Sequence, residues 1–168
     1  AAIYTKIRDL ITMLPSNNEE DAVDDDCTDD LNRVCADIAN CVGDTALALS
    51  QIADNNAFFE IKENYAKDMV TGFIRLNGMT VGCVANRTEV YDDNGEVVDA
   101  VLSPKGCYKA ENFINFCDAF DIPVLSLTNV KGYEATMSSE KGIATAVAKL
   151  TYAFANATVP KVNVIIGK

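Results

Sequence analysis

The sequence predicts an α/β domain with parallel strands, and three observations carry that expectation. Two apolar runs, residues 70–76 and 79–86, flank Asn77-Gly78. Asn-Gly between alternating apolar stretches is the strongest short-range hairpin signal. Further on, an apolar run at 123–128, a small-residue helical pattern at 139–156 and another apolar run at 162–166 follow one another. Strand, helix, strand in that order puts two parallel strands in one sheet with the helix on its face. Finally, the chain has 168 residues, 49% of them hydrophobic. That is enough for one sizeable core, in one domain or one domain with an arm.

Each element has its own signal. Ile3, Ile7, Leu10, Ile11 and Leu14 recur at helical spacing, and Pro15 ends the pattern. Such a helix, with no partner nearby in sequence, reads as the tail of an upstream domain. Residues 16–30 read as a solvated acidic linker. Residues 31–53 read as two short helices broken near Gly43, with Asp44 or Thr45 as N-cap. A short strand is expected at 58–61, before the hairpin. The turn at 92–95 sits between two weaker strands. It fails as an EF-hand, because placing Gly95 at loop position six puts Val90 and Val101 at positions one and twelve.

Residues 109–120 form an amphipathic pattern with Ala110, Phe113, Ile114 and Cys117 on one face. Residues 139–156 form another, with Ile143, Val147, Leu150 and Phe154 on the core face and Ser138 as N-cap. No internal repeat is present. The expected division is therefore 1–15 as the end of an upstream helix, 16–53 as acidic linker and helical segment, and 54–168 as the α/β domain.

Composition excludes several chemistries. The chain has no His, so serine triads, His general bases and His-bearing metal sites are out. What remains is backbone amides, carboxylates, Lys, Tyr, Cys, or a cofactor from elsewhere. The net charge of −11 disfavours nucleic acid and anionic membranes as partners. Eight of the 25 acids lie between residues 19 and 30; the remaining 17 face 14 Lys and Arg. The acidity therefore belongs to one segment rather than to the fold. The six cysteines form no C-x-x-C pair, and Cys83 and Cys117 fall on apolar faces. A reducing cytoplasm without a zinc site is expected. No apolar run reaches the length of a membrane span, and no secretory signal is visible.

The chemistry is expected in residues 129–138, a loop that leaves the C-terminal end of a buried strand and enters a helix. Ligands bind there in open α/β sheets. Gly132 is free to take a positive φ and lets another molecule approach the backbone. The amides of Gly132 and Tyr133 are placed to donate to an oxyanion. An ordinary strand-to-helix loop with a flexible glycine accounts for the same residues. The side chains of Lys131 and Tyr133 are further acid candidates, although both types usually lie on the surface.

Three colinear stretches carry a resemblance. Val70-Thr71-Gly72-Phe73-Ile74-Arg75-Leu76-Asn77-Gly78 with Val81-Gly82-Cys83-Val84-Ala85-Asn86 is the first. Phe116-Cys117-Asp118-Ala119-Phe120-Asp121-Ile122-Pro123-Val124-Leu125 is the second. The third runs from Lys149 through Tyr152-Ala153-Phe154-Ala155-Asn156 and Thr158-Val159-Pro160-Lys161 to Val162. Together they resemble biotin-dependent acyl-CoA carboxyltransferases: the β-type subunits of acetyl-CoA and propionyl-CoA carboxylase, transcarboxylase, and the α subunits of sodium-pumping acyl-CoA decarboxylases.

The resemblance implies a crotonase-like fold of ββα units and transfer of CO2 between carboxybiotin and the α-carbon of an acyl-CoA. It implies biotin on a separate carrier, the biotin carboxyl carrier protein, and a coenzyme A ester as substrate. It also implies an N-terminal carboxyltransferase half as partner and a homo-oligomeric parent. The family's VPGF loop corresponds to Val130-Lys131-Gly132-Tyr133, which would be the biotin-side cradle, with Gly132 and Tyr133 as amide donors. The family continues with a Gly-rich turn beyond the position of Lys168. The chain is thus expected to be the C-terminal, biotin-side part of a longer protein and nearly inactive alone. Two other readings stand beside it. One is a crotonase-type hydratase or isomerase using Glu134 or Glu140; the other is an inactive assembly fragment.

Overall fold

Met69–Leu76 (β2) and Met79–Asn86 (β3) pair antiparallel in full register, Leu76 opposite Met79 and Met69 opposite Asn86. The turn works because Asn77 and Gly78 both take positive φ, 53° and 87°, matching the twist of the strands they join. Asp54 accepts both turn amides, from Asn77 at 3.1 Å and Gly78 at 2.7 Å. A computed structural model of the chain describes residues 2–92 and 94–167. Ala1, Asp93 of the expected 92–95 turn, and Lys168 lie outside the described residues.

Phe58–Glu60 (β1) adds antiparallel to β2. Val124–Thr128 (β6) runs parallel to β3, and Lys161–Ile165 (β7) parallel to β6. The result is a five-stranded sheet in the order β1-β2-β3-β6-β7. Glu89–Tyr91 (β4) and Val97–Asp99 (β5) form a separate two-stranded ribbon. The helices are Ala2–Met13 (α1), Thr45–Ile52 (α2), Pro104–Ala119 (α3), Met137–Glu140 (α4) and Ile143–Asn156 (α5).

The pleat sorts the core into two layers. Met69, Phe73, Val84 and Val124 face α3 and α5, where Cys107, Ala110, Phe113, Ile114, Cys117, Ala146 and Ala153 are buried. Val70, Ile74, Val81, Cys83, Ala85 and Leu127 face the other way, under Ala48 and Leu49 of α2. Strands buried on both faces lose polar alternation, which is why 70–74 and 81–85 read as nearly continuous apolar runs. β7 is different: every residue of it is exposed.

Four expectations are corrected. α3 begins at Pro104, not Lys109. Ser103 caps it, accepting the Gly106 amide at 3.0 Å, and Ser-Pro is an N-cap followed by a first-turn proline. The helix expected at 139–156 is two, parted at Gly142, and its N-cap is Thr136 rather than Ser138. The Thr136 side chain and Ser139 bond each other's backbone amides, so the box closes two residues earlier. Before Gly43 there is only a 3-10 turn, Ile38–Asn40. Asp30 accepts the Asn32 amide and the Cys41 thiol bonds the Asp37 carbonyl, local bonds that compete with a helix. On α5 the buried line is Ala146 and Ala153, with Ile143, Val147, Leu150 and Phe154 half-buried on either side. The expectation of Asp44 as cap of α2 holds: its side chain accepts from Ala46 at 3.2 Å.

The acidic segment is exposed but tethered. Thr80 donates to the Val23 carbonyl at 2.8 Å, Asp25 to that of Gly78 at 3.2 Å, and Arg75 pairs with Asp25 at 2.7 Å. Asp29 accepts the Asn55 amide and the Arg33 guanidinium, and both hold its carboxyl below the usual range. Arg33 continues to the carbonyls of Gln51 and Ala53, joining the segment to the end of α2.

Lys109 is the unexpected core member, 2% exposed. Its ammonium donates to the carbonyls of Tyr65 and Met69, at 2.9 and 2.7 Å. It thereby pins a loop in which Lys62 and Ala66 hold positive φ, a conformation costing about 1 kcal/mol or more for non-glycine residues. Burial pushes its pKa down to about 8. Between about 8 and the ordinary 10.5 the unfolded chain keeps a proton that the folded chain has released, so stability rises with pH there. Thermal unfolding of the wild type and Lys109→Met from pH 7 to 10 is the check. The wild type should gain about 2–3 kcal/mol on the variant across that range. A constant difference would show that the ammonium is not desolvated.

Candidate functional site

The loop after β6 is fixed at its base and at its middle. Asn129 turns inward and donates from Nδ2 to the Val42 carbonyl at 2.7 Å and to Thr88 Oγ1 at 3.3 Å. Val130 packs against the main core cluster. It also lines a cavity of about 300 Å³ together with the apolar Leu102, Leu150 and Phe154 and the polar Ser126, Thr128 and Asn163. Lys131 turns outward and pairs with Asp99 of the ribbon at 2.6 Å. Leu102 then brackets the loop, donating to the Gly132 carbonyl and accepting from the Glu134 amide, both at 2.9 Å.

That bracket encloses the Tyr133 amide, and the Gly132 amide lies just before it. Among the described residues neither the Gly132 nor the Tyr133 N–H has an acceptor. Alternation along an extended chain turns the Tyr133 amide away from Leu102. Among the described residues nothing lies within 4 Å of where a Cβ on Gly132 would stand. The close-approach reading of this glycine therefore has space to work in. The positive-φ reading does not hold; only Gly78 and Gly95 among the described glycines take such angles. The neighbouring Tyr133 forms the isolated parallel bridge with Leu102. Tyr133 is 56% exposed.

Val130, Lys131, Gly132 and Tyr133 thus form one lip beside the cavity, Val130 inward and Lys131 and Tyr133 outward. Glu140 is solvent-exposed on α4, and the Glu134 backbone is taken by Leu102 and by Ser139 Oγ at 2.6 Å. Asp99, Leu102 and Asn129 escaped sequence reasoning. The Lys131–Asp99 pair spans 32 residues and leaves no local pattern. Asn129 carried a signal in hindsight, as a polar residue directly after a buried strand.

The shared motifs also have physical content. Phe116 stacks on Phe120 at 4.7 Å between centroids, and Cys117 is buried. Asp118 accepts the Thr158 amide at 2.6 Å, its hydroxyl at 3.1 Å and the Val159 amide at 3.4 Å. Burial works to raise the Asp118 pKa, but these donors outweigh it and hold the carboxyl low. The second and third motifs therefore meet, joining α3 to the segment between α5 and β7.

A hairpin running into parallel strand–helix–strand units, with an amide-bearing loop at the end of β6, defines a crotonase-fold domain of the carboxyltransferase kind. A family model described as the carboxyl transferase domain matches residues 2–168, and the chain belongs to that family. It is 39% identical over 170 residues to the propionyl-CoA carboxylase carboxyltransferase subunit of Haloferax mediterranei, covering 96% of this chain and 32% of the relative. It is 36% identical over 175 residues to the methylmalonyl-CoA decarboxylase subunit alpha of Propionigenium modestum, covering 99% and 32%. A solved transcarboxylase 12S, a hexamer with hydrolysed methylmalonyl-coenzyme A bound, superposes with a TM-score of 0.83 at 32% identity, covering 96% and 32%. The chain spans about a third of the length of the curated relatives it matches. No helix among the described residues is long and apolar enough to cross a membrane.

Proposed function

We propose that this chain forms the biotin-facing part of an acyl-CoA carboxyltransferase subunit, moving CO2 between carboxybiotin and the α-carbon of an acyl-CoA. The observation that carries it is the pair of acceptor-free amides at Gly132 and Tyr133, on a loop with open space at the glycine. Biotin on its carrier protein supplies the transferable carboxyl group through its ureido nitrogen.

The residues fit that group. The Tyr133 amide, turned away from Leu102, would hold the ureido oxygen, with the Gly132 amide beside it as the second candidate donor; one such donor is worth about 3–4 kcal/mol. Gly132 keeps the approach open, and Val130 offers an apolar wall beside it. Lys131, held by Asp99, fixes the outward side of the loop. The acyl-CoA would sit on an N-terminal carboxyltransferase half, within an oligomer of the full subunit. In this reading residues 1–15 close an upstream domain, 16–53 connect, and 54–168 carry the biotin side. The exposed Ile3, Tyr4 and Ile11 of α1 support it as a helix with a second side to cover. The alignment over 99% of the chain with a decarboxylase α subunit supports a second role using the same half-reaction, decarboxylation of a carboxyacyl-CoA onto biotin.

The test is carboxyl transfer from methylmalonyl-CoA to free biotin. A full-length subunit carrying this chain should turn over, and the chain alone, with or without an added N-terminal half, should be nearly inactive. Sustained turnover by the chain alone would overturn the division of labour. Failure of the full-length subunit with every short acyl-CoA tried would remove the carboxyltransferase reading.

A further inference from the structure

One side chain ties the lip to three separate parts of the molecule. Asn129 is the first residue after β6 and is 9% exposed. Its Nδ2 reaches the Val42 carbonyl, just before α2, and Thr88 Oγ1, at the root of the ribbon. Its Oδ1 lies against Gly167, just after β7, so closely that a Cβ at 167 would overlap it. Thr88 carries the connection on. Its amide and that of Glu89 both donate to the Gly43 carbonyl, at 3.0 and 3.1 Å, and its carbonyl accepts from Ala100 at 2.8 Å. Two residues beyond Ala100, Leu102 makes the bracket from Gly132 to Glu134. The lip is thus held at its base by Asn129 and at its middle by a ribbon whose root Asn129 also holds.

We propose that Asn129 is a positioning residue, which sets where the Gly132 and Tyr133 amides stand relative to the end of β7. Its value for catalysis rests on the biotin reading of that lip; the clamp itself does not. The chemistry requires a neutral carboxamide. A carboxylate would face the Val42 carbonyl oxygen with no proton between them. A leucine would fill the same space and leave that carbonyl and the Thr88 hydroxyl without their donor, a loss buried polar groups do not tolerate. The glycine at 167 follows from the same geometry, because the oxygen occupies the space of its side chain.

Asn129→Leu and the milder Thr88→Val, which removes only the longer arm, test this with two readouts. The first is hydrogen exchange of the Leu102 and Glu134 amides, whose bonds report the position of the lip, against the amides of β2 and β3 as internal control. In Asn129→Leu the bracket amides should exchange about ten times faster, in Thr88→Val less so, with the control unchanged. The second is steady-state kinetics of the full-length subunit. Biotin-dependent kcat should fall about 100-fold, as expected for misplacement near 1 Å, while KM for the acyl-CoA stays within about twofold.

Unchanged bracket exchange in both variants overturns the clamp. Equal acceleration of bracket and β2–β3 amides also overturns it, since Asn129 would then serve general stability alone. Accelerated bracket exchange with an intact biotin-dependent rate upholds the clamp and removes the lip from the biotin site.

Discussion

Gly132→Val in the full-length subunit should lower biotin-dependent carboxyl transfer by about 100-fold or more, with little effect on folding. The two halves of that expectation have one cause. Among the described residues nothing lies within 4 Å of a Cβ at position 132, and the φ there is not left-handed. The added Cβ meets no clash and no left-handed backbone strain, so stability should move by no more than about 0.5 kcal/mol. What the isopropyl group does obstruct is the approach of another molecule to the Gly132 and Tyr133 amides. Tyr133→Phe should be mild, because the backbone donates and the exposed hydroxyl does not. Kinetics with free biotin and acyl-CoA varied separately, beside thermal unfolding, decide the matter. A normal biotin-dependent rate in Gly132→Val would reduce the loop to a connector.

Gly82→Ala should have the opposite profile, a loss of stability with no direct effect on chemistry. A Cβ at Gly82 would stand 2.5 Å from Cys117 Sγ and 3.3 Å from the Phe113 ring. Both neighbours belong to α3 and are buried, so the helix itself must move away from β3. Overpacking of this kind costs about 2–3 kcal/mol, a large share of the ~5–15 kcal/mol that holds a typical domain. Denaturant unfolding measures it. Gly82→Ala with Cys117→Ala should recover most of the loss, since truncating the thiol opens the space; contacting residues are expected to couple this way. Additive effects in the double variant would place the strain elsewhere.

The hairpin, both parallel strands and the face of α3 were legible because each is written locally: a turn dipeptide, a run of β-formers, a helical period. The start of α3 was legible too, in Ser103-Pro104, but the apolar period begins only at Cys107 and drew the boundary inward. Lys109 shows why burial is harder to read than pattern. A lysine at a helix position looks like a solvated end, and the two carbonyls that receive it lie 40 and 44 residues away. The site divides the same way. Val130 to Tyr133 stood out through their place after a strand and through resemblance. Asp99, Leu102 and Thr88 hold that loop by contacts across the ribbon, which no local window displays. Gly132 leaves its freedom to take a positive φ unused; a glycine advertises that freedom without saying whether the chain uses it.

The exposed β7 has a practical consequence for anyone handling the chain. Val162, Val164 and Ile165 are all solvent-facing on a strand with no neighbour beyond it among the described residues. Such a border is a ready template for a strand from another molecule, tempered here only by Lys161 and Asn163. Shelf life at high concentration should therefore be limited by sticking at this border while the core is still intact. Turbidity would then rise with protein concentration well below the melting temperature, and a charge placed at Val164 should delay it more than any improvement to the core.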